Sequence, residues 1–184
     1  KKFVRGFEID KRSGYTIVDI IRVLRILHGG PMGRVRLIKE IGLGEATVKT
    51  MIKRLKNDGI LTDSTRGQIL TGIGREIAEE INEKVSIFHN FKIPTITRKT
   101  CTTFIVRNSA GKVKMGIEQR DEGMKLGVNV TTLVYDGKDV RFPGTGEIFR
   151  DLDGKLNLKR GDVIIISSGE GKERGGFAAV LTLI

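Results

Sequence analysis

Residues 33–58 most constrain the fold, because they have the pattern of two short helices joined by a tight turn. Gly42 suits the left-handed backbone conformation that ends helices. In the second helix, Val48, Ile52 and Leu55 recur at the spacing of one helical face and predict a stripe that faces a core. This layout is typical of a helix-turn-helix, in which the second helix enters the major groove of DNA.

An αα-hairpin within any helical domain, with a lysine-rich face in solvent, would show the same pattern. The residues that follow favour the helix-turn-helix. Residues 60–62 and 68–70 are typical of two short strands, and turn-forming residues lie between them. We therefore predict a winged helix-turn-helix domain over residues 1–93, with Arg66 at the tip of its hairpin.

The side of the second helix that faces away from the apolar stripe is basic. We expect four cations of this region to contact DNA phosphates: Lys49, Lys53, Lys56 and Arg66. We expect three residues to read the base edges: Thr47, Thr50 and Arg54. Residues 1–14 form a basic arm, in which Arg5, Lys11 and Arg12 are further candidates for phosphate contacts; a loosely packed leader is the alternative.

The charge of the chain agrees with a polyanionic partner. The formal net charge is +11, and residues 1–92 hold 18 Lys and Arg against 11 Asp and Glu, compared with 15 against 11 in residues 93–184. Such a balance is typical of nucleic-acid binding, although it also serves solubility. Aromatic residues make up only 5%, so base stacking on single strands is disfavoured. The expected partner is double-stranded DNA.

Two further helices are predicted in the first domain. Residues 16–27 form an amphipathic helix, and a fourth helix runs from Ile73 to about Phe91. The fourth helix is longer than a winged helix needs. Its extra length would serve a dimer contact or a rigid spacer, and we favour a homodimer because two-fold proteins read two-fold operators. The break at Pro94 ends this domain.

Residues 94–184 predict a small α/β domain. Runs rich in β-branched residues at 101–106 and 130–135 predict strands, and residues 114–126 predict a helix with Met115, Ile117 and Met124 facing inward. The apolar run 163–166 predicts a strand with helices on either side, and the apolar tail 177–184 is assigned to a helix.

The second domain has one candidate ligand site, because small molecules bind at the carboxyl ends of strands in α/β sheets. Ser167, Ser168 and Gly169 follow the buried strand, and their hydroxyl and N–H groups suit a carboxylate, a phosphate or a sugar. Lys172 and Arg174 would add positive charge. We expect a ligand-sensing domain for a small anionic or sugar effector; an ordinary turn at the strand end is the alternative.

Nothing in the sequence points to catalysis. There is no phosphate-binding loop of the Gly-x-x-x-x-Gly-Lys-Ser/Thr type, and His28, His89 and Cys101 are far apart. We assign no catalytic residue, metal ion or cofactor. No apolar run approaches the roughly 20 residues that span a bilayer, so we expect no membrane partner. Cys101 is the single cysteine, which excludes an intrachain disulfide and is consistent with a reducing cytoplasm, so we expect a cytoplasmic location. The alternatives are a protein-interaction module and an enzyme that acts on an anionic small molecule in the second domain.

Three segments, PMGR at 31–34, IGLGEATV at 41–48 and LKNDGIL at 55–61, resemble the winged helix of central glycolytic gene regulators. The whole chain, including IEQRD at 117–121 and AAVLTL at 178–183, resembles an archaeal family of transcriptional regulators with a C-terminal domain of unknown function. The resemblance implies a DNA-binding regulator. Gly44 stands where such recognition helices usually carry a Ser or Thr cap.

Overall fold

The computed structural model of the chain describes residues 13–152 and 154–184. Within them the fold is mixed α/β, with six α-helices and two sheets. The chain divides into two compact units, Lys1–Asn82 and Glu83–Ile184. No helix in the described residues is long and apolar enough to cross a membrane. Arg5, Lys11 and Arg12 of the basic arm lie outside the described residues.

The first unit consists of helices and one hairpin. Its helices are α1 (Ile17–His28), α2 (Arg34–Ile41), α3 (Glu45–Asn57) and α4 (Gly72–Lys84), the last of which ends two residues into the second unit. Its strands are β1 (Leu61–Ser64) and β2 (Gly67–Leu70). The N–H of Thr16 donates to the carboxylate of Asp19 at 2.9 Å, which caps α1. Gly42 ends α2 in the left-handed conformation, with φ of 73°, as predicted.

The second unit is an antiparallel sheet with two helices. Its strands are β3 (Val85–Phe91), β4 (Cys101–Val106), β5 (Asn129–Tyr135), β6 (Val140–Arg141) and β7 (Val163–Ser168). They lie in the order β3-β4-β7-β5-β6, and every described neighbouring pair is antiparallel. The helices are α5 (Ile117–Met124) and α6 (Lys172–Leu181), so the tail is helical as predicted through Leu181.

The prediction of a fourth helix to about Phe91 is wrong beyond Lys84. Residues 85–91 form strand β3, in which Val85 pairs with Val106 of β4. The segment VSIFHNF is rich in β-branched and aromatic residues, and the ladder with β4 outweighs the weak helical spacing that continues from α4. The division between the units therefore falls after Asn82, not after residue 93. The helix length offered in favour of dimerisation is absent.

The prediction of helices on either side of the 163–166 strand is also wrong. All six residues of β7 are buried as expected, but both helices pack on one face of the sheet. Gly176 of α6 lies against Phe104, and Gly123 of α5 lies against Val130, on the same face as Phe104. Loop residues cover the other face and form a cluster with the strands: Ile93, Phe149, Leu152, Cys101, Leu133, Ile164 and Ile166.

Candidate nucleic-acid interface

Helix α3 is held by an apolar stripe that is fully inside the first unit. Val48, Ile52 and Leu55 are buried as predicted, and Met51, which the sequence prediction omitted, is buried with them. Gly44 occupies the N-cap position without a side-chain hydrogen bond. The orientation of α3 therefore depends on burial of one face, and this burial turns the opposite face to solvent.

A buried arginine connects α1 to the end of α2, directly before the turn that leads into α3. Arg22 donates from Nη1 to the carbonyl of Ile41 at 2.8 Å and from Nη2 to the carbonyl of Glu40 at 3.2 Å. Its Nη1 also lies 4.0 Å from the buried carboxylate of Asp19. These bonds satisfy carbonyls that have no partner within α2. Arg22 was not identified in the sequence analysis. In the sequence it is a single arginine between two apolar residues of the helix, and nothing nearby indicates that its side chain is buried.

Three of the predicted DNA-contacting cations already hold carboxylates. Lys49 pairs with Glu45 at 2.8 Å, Arg54 with Asp58 at 2.7 Å, and Lys56 with Asp63 at 2.6 Å. The hydrogen bond from Lys49 is the main cause that lowers the pKa of Glu45. A phosphate that binds these cations has to compete with the carboxylates.

The other predicted residues differ in accessibility. Lys53 and Arg66 are exposed, and neither side chain has an ion-pair or hydrogen-bond partner among the residues that the structure describes. Thr50 is exposed and donates to the carbonyl of Ala46 at 3.0 Å. Thr47 is half-buried, with its hydroxyl close to the backbone of Gly14. Lys53 and Arg66 are therefore the cations most available to a phosphate.

The hairpin is attached to both α2 and α3. Met32, just before α2, exchanges two backbone hydrogen bonds with Gln68 of β2, at 2.9 and 3.0 Å. Asp63 of β1 accepts from Lys56 of α3 and, at 3.0 Å, from Gln68. The bond from Lys56, followed by that from Gln68, lowers the pKa of Asp63. The hairpin tip with Arg66 is thus fixed relative to α3, and Lys56 is a structural link.

A shallow depression of about 680 Å³ adds basic residues that the sequence prediction did not include. It is lined by residues of α2, by the N-cap residue before it and by Gln68 of β2: Gly33, Arg34, Val35, Arg36, Lys39 and Gln68. Arg36 has only a loose contact with Glu40, at 3.7 Å. The signal in the sequence was the short run Arg34-Val35-Arg36, in which two cations flank a valine.

The residues predicted for the ligand site lie near the junction of β7 and α6. Ser167 is completely buried beneath Gly176, and its hydroxyl has no hydrogen-bond partner among the described residues. Lys172 donates to the carbonyl and hydroxyl of Thr100 at 2.8 and 2.9 Å. Ser168 is buried, Gly169 is exposed, and Arg174 is half-buried. Because the sheet is antiparallel, the rule for strand ends in parallel α/β sheets does not apply here.

Comparisons with known proteins concern the fold and the second unit. Residues 97–183 match the family model described as a domain of unknown function (DUF4443). A solved structure of a hypothetical protein from Pyrococcus horikoshii is similar to this chain, with a TM-score of 0.75 and 22% identity over 92% of this chain and 91% of that chain. This likeness is one of fold. None of the curated proteins matches the chain.

Proposed function

We propose that the first unit is a winged helix-turn-helix that binds double-stranded DNA, and that the protein is a sequence-specific transcriptional regulator. One observation carries the proposal: the face of α3 opposite its buried stripe presents Lys49, Lys53 and Arg54 to solvent. A helix of this kind fits the major groove. The bridge between Met32 and Gln68 supports a winged helix, because it adds a short third strand segment to the hairpin.

The contacts divide by chemistry. Lys53 and Arg66 would bind phosphates without first leaving a carboxylate, whereas Lys49 and Lys56 would exchange one partner for another. Arg54, with Thr47 and Thr50, would read base edges after releasing Asp58. Phosphate contacts supply salt-dependent affinity, and base contacts supply specificity.

A duplex selected from a random pool provides the test, with affinity measured by fluorescence anisotropy over a range of salt concentrations. We expect Lys53→Ala to weaken binding to all duplexes and to reduce the salt slope by about 1. We expect Arg54→Ala to lose about 1–3 kcal/mol of discrimination at one base position. Arg75→Ala, which removes an exposed cation of α4, is the charge-matched control. Equal affinity of the wild type and both interface variants for DNA would refute the proposal.

A protein-interaction module is the second candidate, and one observation favours it. Val35 is 81% exposed beside Arg34 and Arg36, and an exposed apolar side chain flanked by arginines also suits the core of a protein–protein interface, where arginine is enriched. Pull-down of a protein that resists high salt, together with no retention on heparin, would support this candidate over DNA binding.

We propose further that the second unit senses a small-molecule effector and that the regulator is a homodimer on a two-fold operator. The sequence argument expects an anion or a sugar beside Ser167–Gly169, although the ammonium group of Lys172 is engaged with Thr100. A thermal-shift screen of metabolites tests sensing. Light scattering of the free protein and of its DNA complex tests the dimer, and a monomer in both samples would exclude it.

A further inference from the structure

The inner face of helix α5 is fixed by a close contact and by one hydrogen bond. Gly123 lies against Val130 of β5, and the buried Gln119 donates from Nε2 to the hydroxyl of Thr182 at 2.6 Å. Gln119 and Gly123 are four residues apart, so they lie on the same side of the helix. These contacts set the rotation of α5 about its axis, and its opposite side faces solvent.

The outer side of α5 carries an exposed apolar residue at each end of the helix. These residues are Ile117 and Met124. They are seven positions apart, which is close to two helical turns, so they lie on one stripe. Met115, just before the helix, is also exposed and lies near Ile117. Apolar side chains that share an exposed face are typical of an interaction surface.

Two opposite charges lie between these apolar residues. Arg120 and Asp121 are exposed, and they follow Ile117 by three and four positions, so they belong to the same stripe. The distance between Nε of Arg120 and Oδ1 of Asp121 is 3.6 Å, which is beyond a normal hydrogen bond. Neither side chain has another ion-pair partner among the residues that the structure describes. Both charges are therefore available to a partner.

The four residues of this stripe complement themselves when the helix is turned end for end. In an antiparallel pair of α5 helices centred between residues 120 and 121, Ile117 faces Met124 of the partner subunit. Arg120 then faces Asp121 of the partner subunit, and a two-fold axis repeats both contacts. A parallel pair would instead place arginine against arginine and aspartate against aspartate, which is unfavourable.

We propose that the outer face of α5 is the contact between two copies of this chain, paired antiparallel about a two-fold axis. A second copy supplies both the apolar contacts and the opposite charges. Duplex DNA does not fit this stripe, because its two charges cancel. The helix is only about 12 Å long, so the contact belongs to the small, weak class that buries less than about 1,200 Å². The inference rests on the homodimer proposed above and names its interface.

Analytical ultracentrifugation of the full chain, alone and with the selected duplex, tests the contact over a range of protein concentrations. We expect the wild type to pass from monomer to dimer as the concentration rises. Arg120→Glu places four acidic side chains at the centre of the pair, and Asp121→Arg places four basic ones there. Each variant should therefore self-associate at least about tenfold more weakly.

Arg98→Glu is the control, because it makes the same change of charge at another exposed position of the second unit. It should dimerise like the wild type. At concentrations where the chain is a monomer, all three variants should melt at the wild-type temperature, because the altered side chains are exposed. This measurement separates loss of the contact from loss of the fold.

Two rescue experiments test the antiparallel geometry. An equimolar mixture of Arg120→Glu and Asp121→Arg should form a heterodimer, because two acidic side chains of one copy then face two basic ones of the other. The double variant Arg120→Glu/Asp121→Arg should dimerise like the wild type, because each pair is only reversed. Failure of both rescues would overturn the antiparallel pairing.

The outcomes separate this inference from the proposal on which it rests. A dimer that persists unchanged in Arg120→Glu and in Asp121→Arg would place the contact elsewhere and overturn α5 as the interface, while the homodimer would stand. A wild-type chain that stays monomeric at every concentration, both free and on its duplex, would overturn the interface and the homodimer together.

Discussion

Helix α3 of the first unit and helix α5 of the second bury different kinds of residue. In α3 the apolar residues at helical spacing are all inside, and Met51 has no exposed surface. In α5 the apolar residues Ile117 and Met124 are 46% and 60% exposed, while Gln119 and Gly123 are buried. The prediction that Met115, Ile117 and Met124 face inward is therefore wrong. The same spacing rule succeeds in one helix and fails in the other.

The difference lies in how closely each helix approaches its neighbour. A Cβ on Gly123 would lie 2.3 Å from Cγ2 of Val130, so α5 rests almost directly on strand β5. In α6, a Cβ on Gly176 would lie 2.1 Å from Cε2 of Phe104. Both helices approach the sheet closely at a glycine, and α6 adds Phe177, whose ring packs edge-to-face on Phe104 at 5.1 Å between centroids. Helix α3 instead supplies its own large side chains to a core of other helices, as amphipathic helices usually do.

Two methionines provide the largest contrast between the helices. We expect Met51→Ala to lower the free energy of unfolding of the first unit by about 3 kcal/mol, because it leaves a cavity in a closed core. Met124→Ala, at an exposed position of α5, should change the second unit by less than about 0.5 kcal/mol. Urea unfolding with a probe in each unit measures both values. Similar losses for the two variants would contradict the described burial of α3 and α5.

Addition of one methyl group tests the glycine contact. We expect Gly176→Ala to destabilise the second unit by about 2 kcal/mol, since the new Cβ would overlap the ring of Phe104. Gly72→Ala is the matched control: no atom lies within 4 Å of its added Cβ, so it should be neutral or stabilising by up to about 1 kcal/mol. Thermal unfolding measures both. A Gly176→Ala variant as stable as the wild type would refute a close contact between α6 and the sheet.

Asp63 in the first unit and Asp136 in the second accept hydrogen bonds from different groups. From this difference we predict an effect of pH on stability that is smaller than the effects of the two preceding pairs of variants. In the second unit the N–H of Asp139, the guanidinium of Arg141 and the N–H of Lys138 lower the pKa of Asp136. A carboxyl whose pKa is depressed by folding contributes stability above its unfolded pKa of about 3.9, and this stability is lost as the pH falls toward the folded value.

We therefore expect acid to weaken the wild type more than Asp136→Asn. The melting temperatures of the two proteins, measured from pH 6 down to about pH 3, should converge as the pH falls. Asp63→Asn is the matched variant in the first unit, where the carboxylate is held by Lys56 of α3 and by Gln68 of β2. A constant difference between wild type and Asp136→Asn at every pH would contradict the assigned cause.

The sequence predicts those elements whose signals are local. The stop at Gly42, the hairpin around Arg66 and the strands at 101–106 and 163–166 all follow from residues within a few positions of each other. The cations of the candidate interface were also named from the sequence. Their pairing was not, because the partners of Lys49, Arg54 and Lys56 depend on rotamers and on the hairpin fold.

Predictions that needed distant residues failed. Residues 85–91 continue the spacing of α4, yet they become a strand because Cys101–Val106 offers a ladder. The prediction of helices on both faces of β7 was wrong for a similar reason. An apolar run shows that both faces of a strand are buried, but it does not show which elements cover each face. Likewise, strand β6 pairs with only Val134 and Tyr135 of β5, and no short motif in the sequence predicts where this ladder stops.

Local hydrogen bonds and helical spacing are enough to specify α1, α3 and the β1–β2 hairpin from the sequence, because each is stabilised within its own turn or apolar stripe. Where α4 ends and which residues of α5 are buried became known from the fold alone. Strand pairing and close backbone contact join residues far apart in the chain, so their free energy exists only once those residues meet.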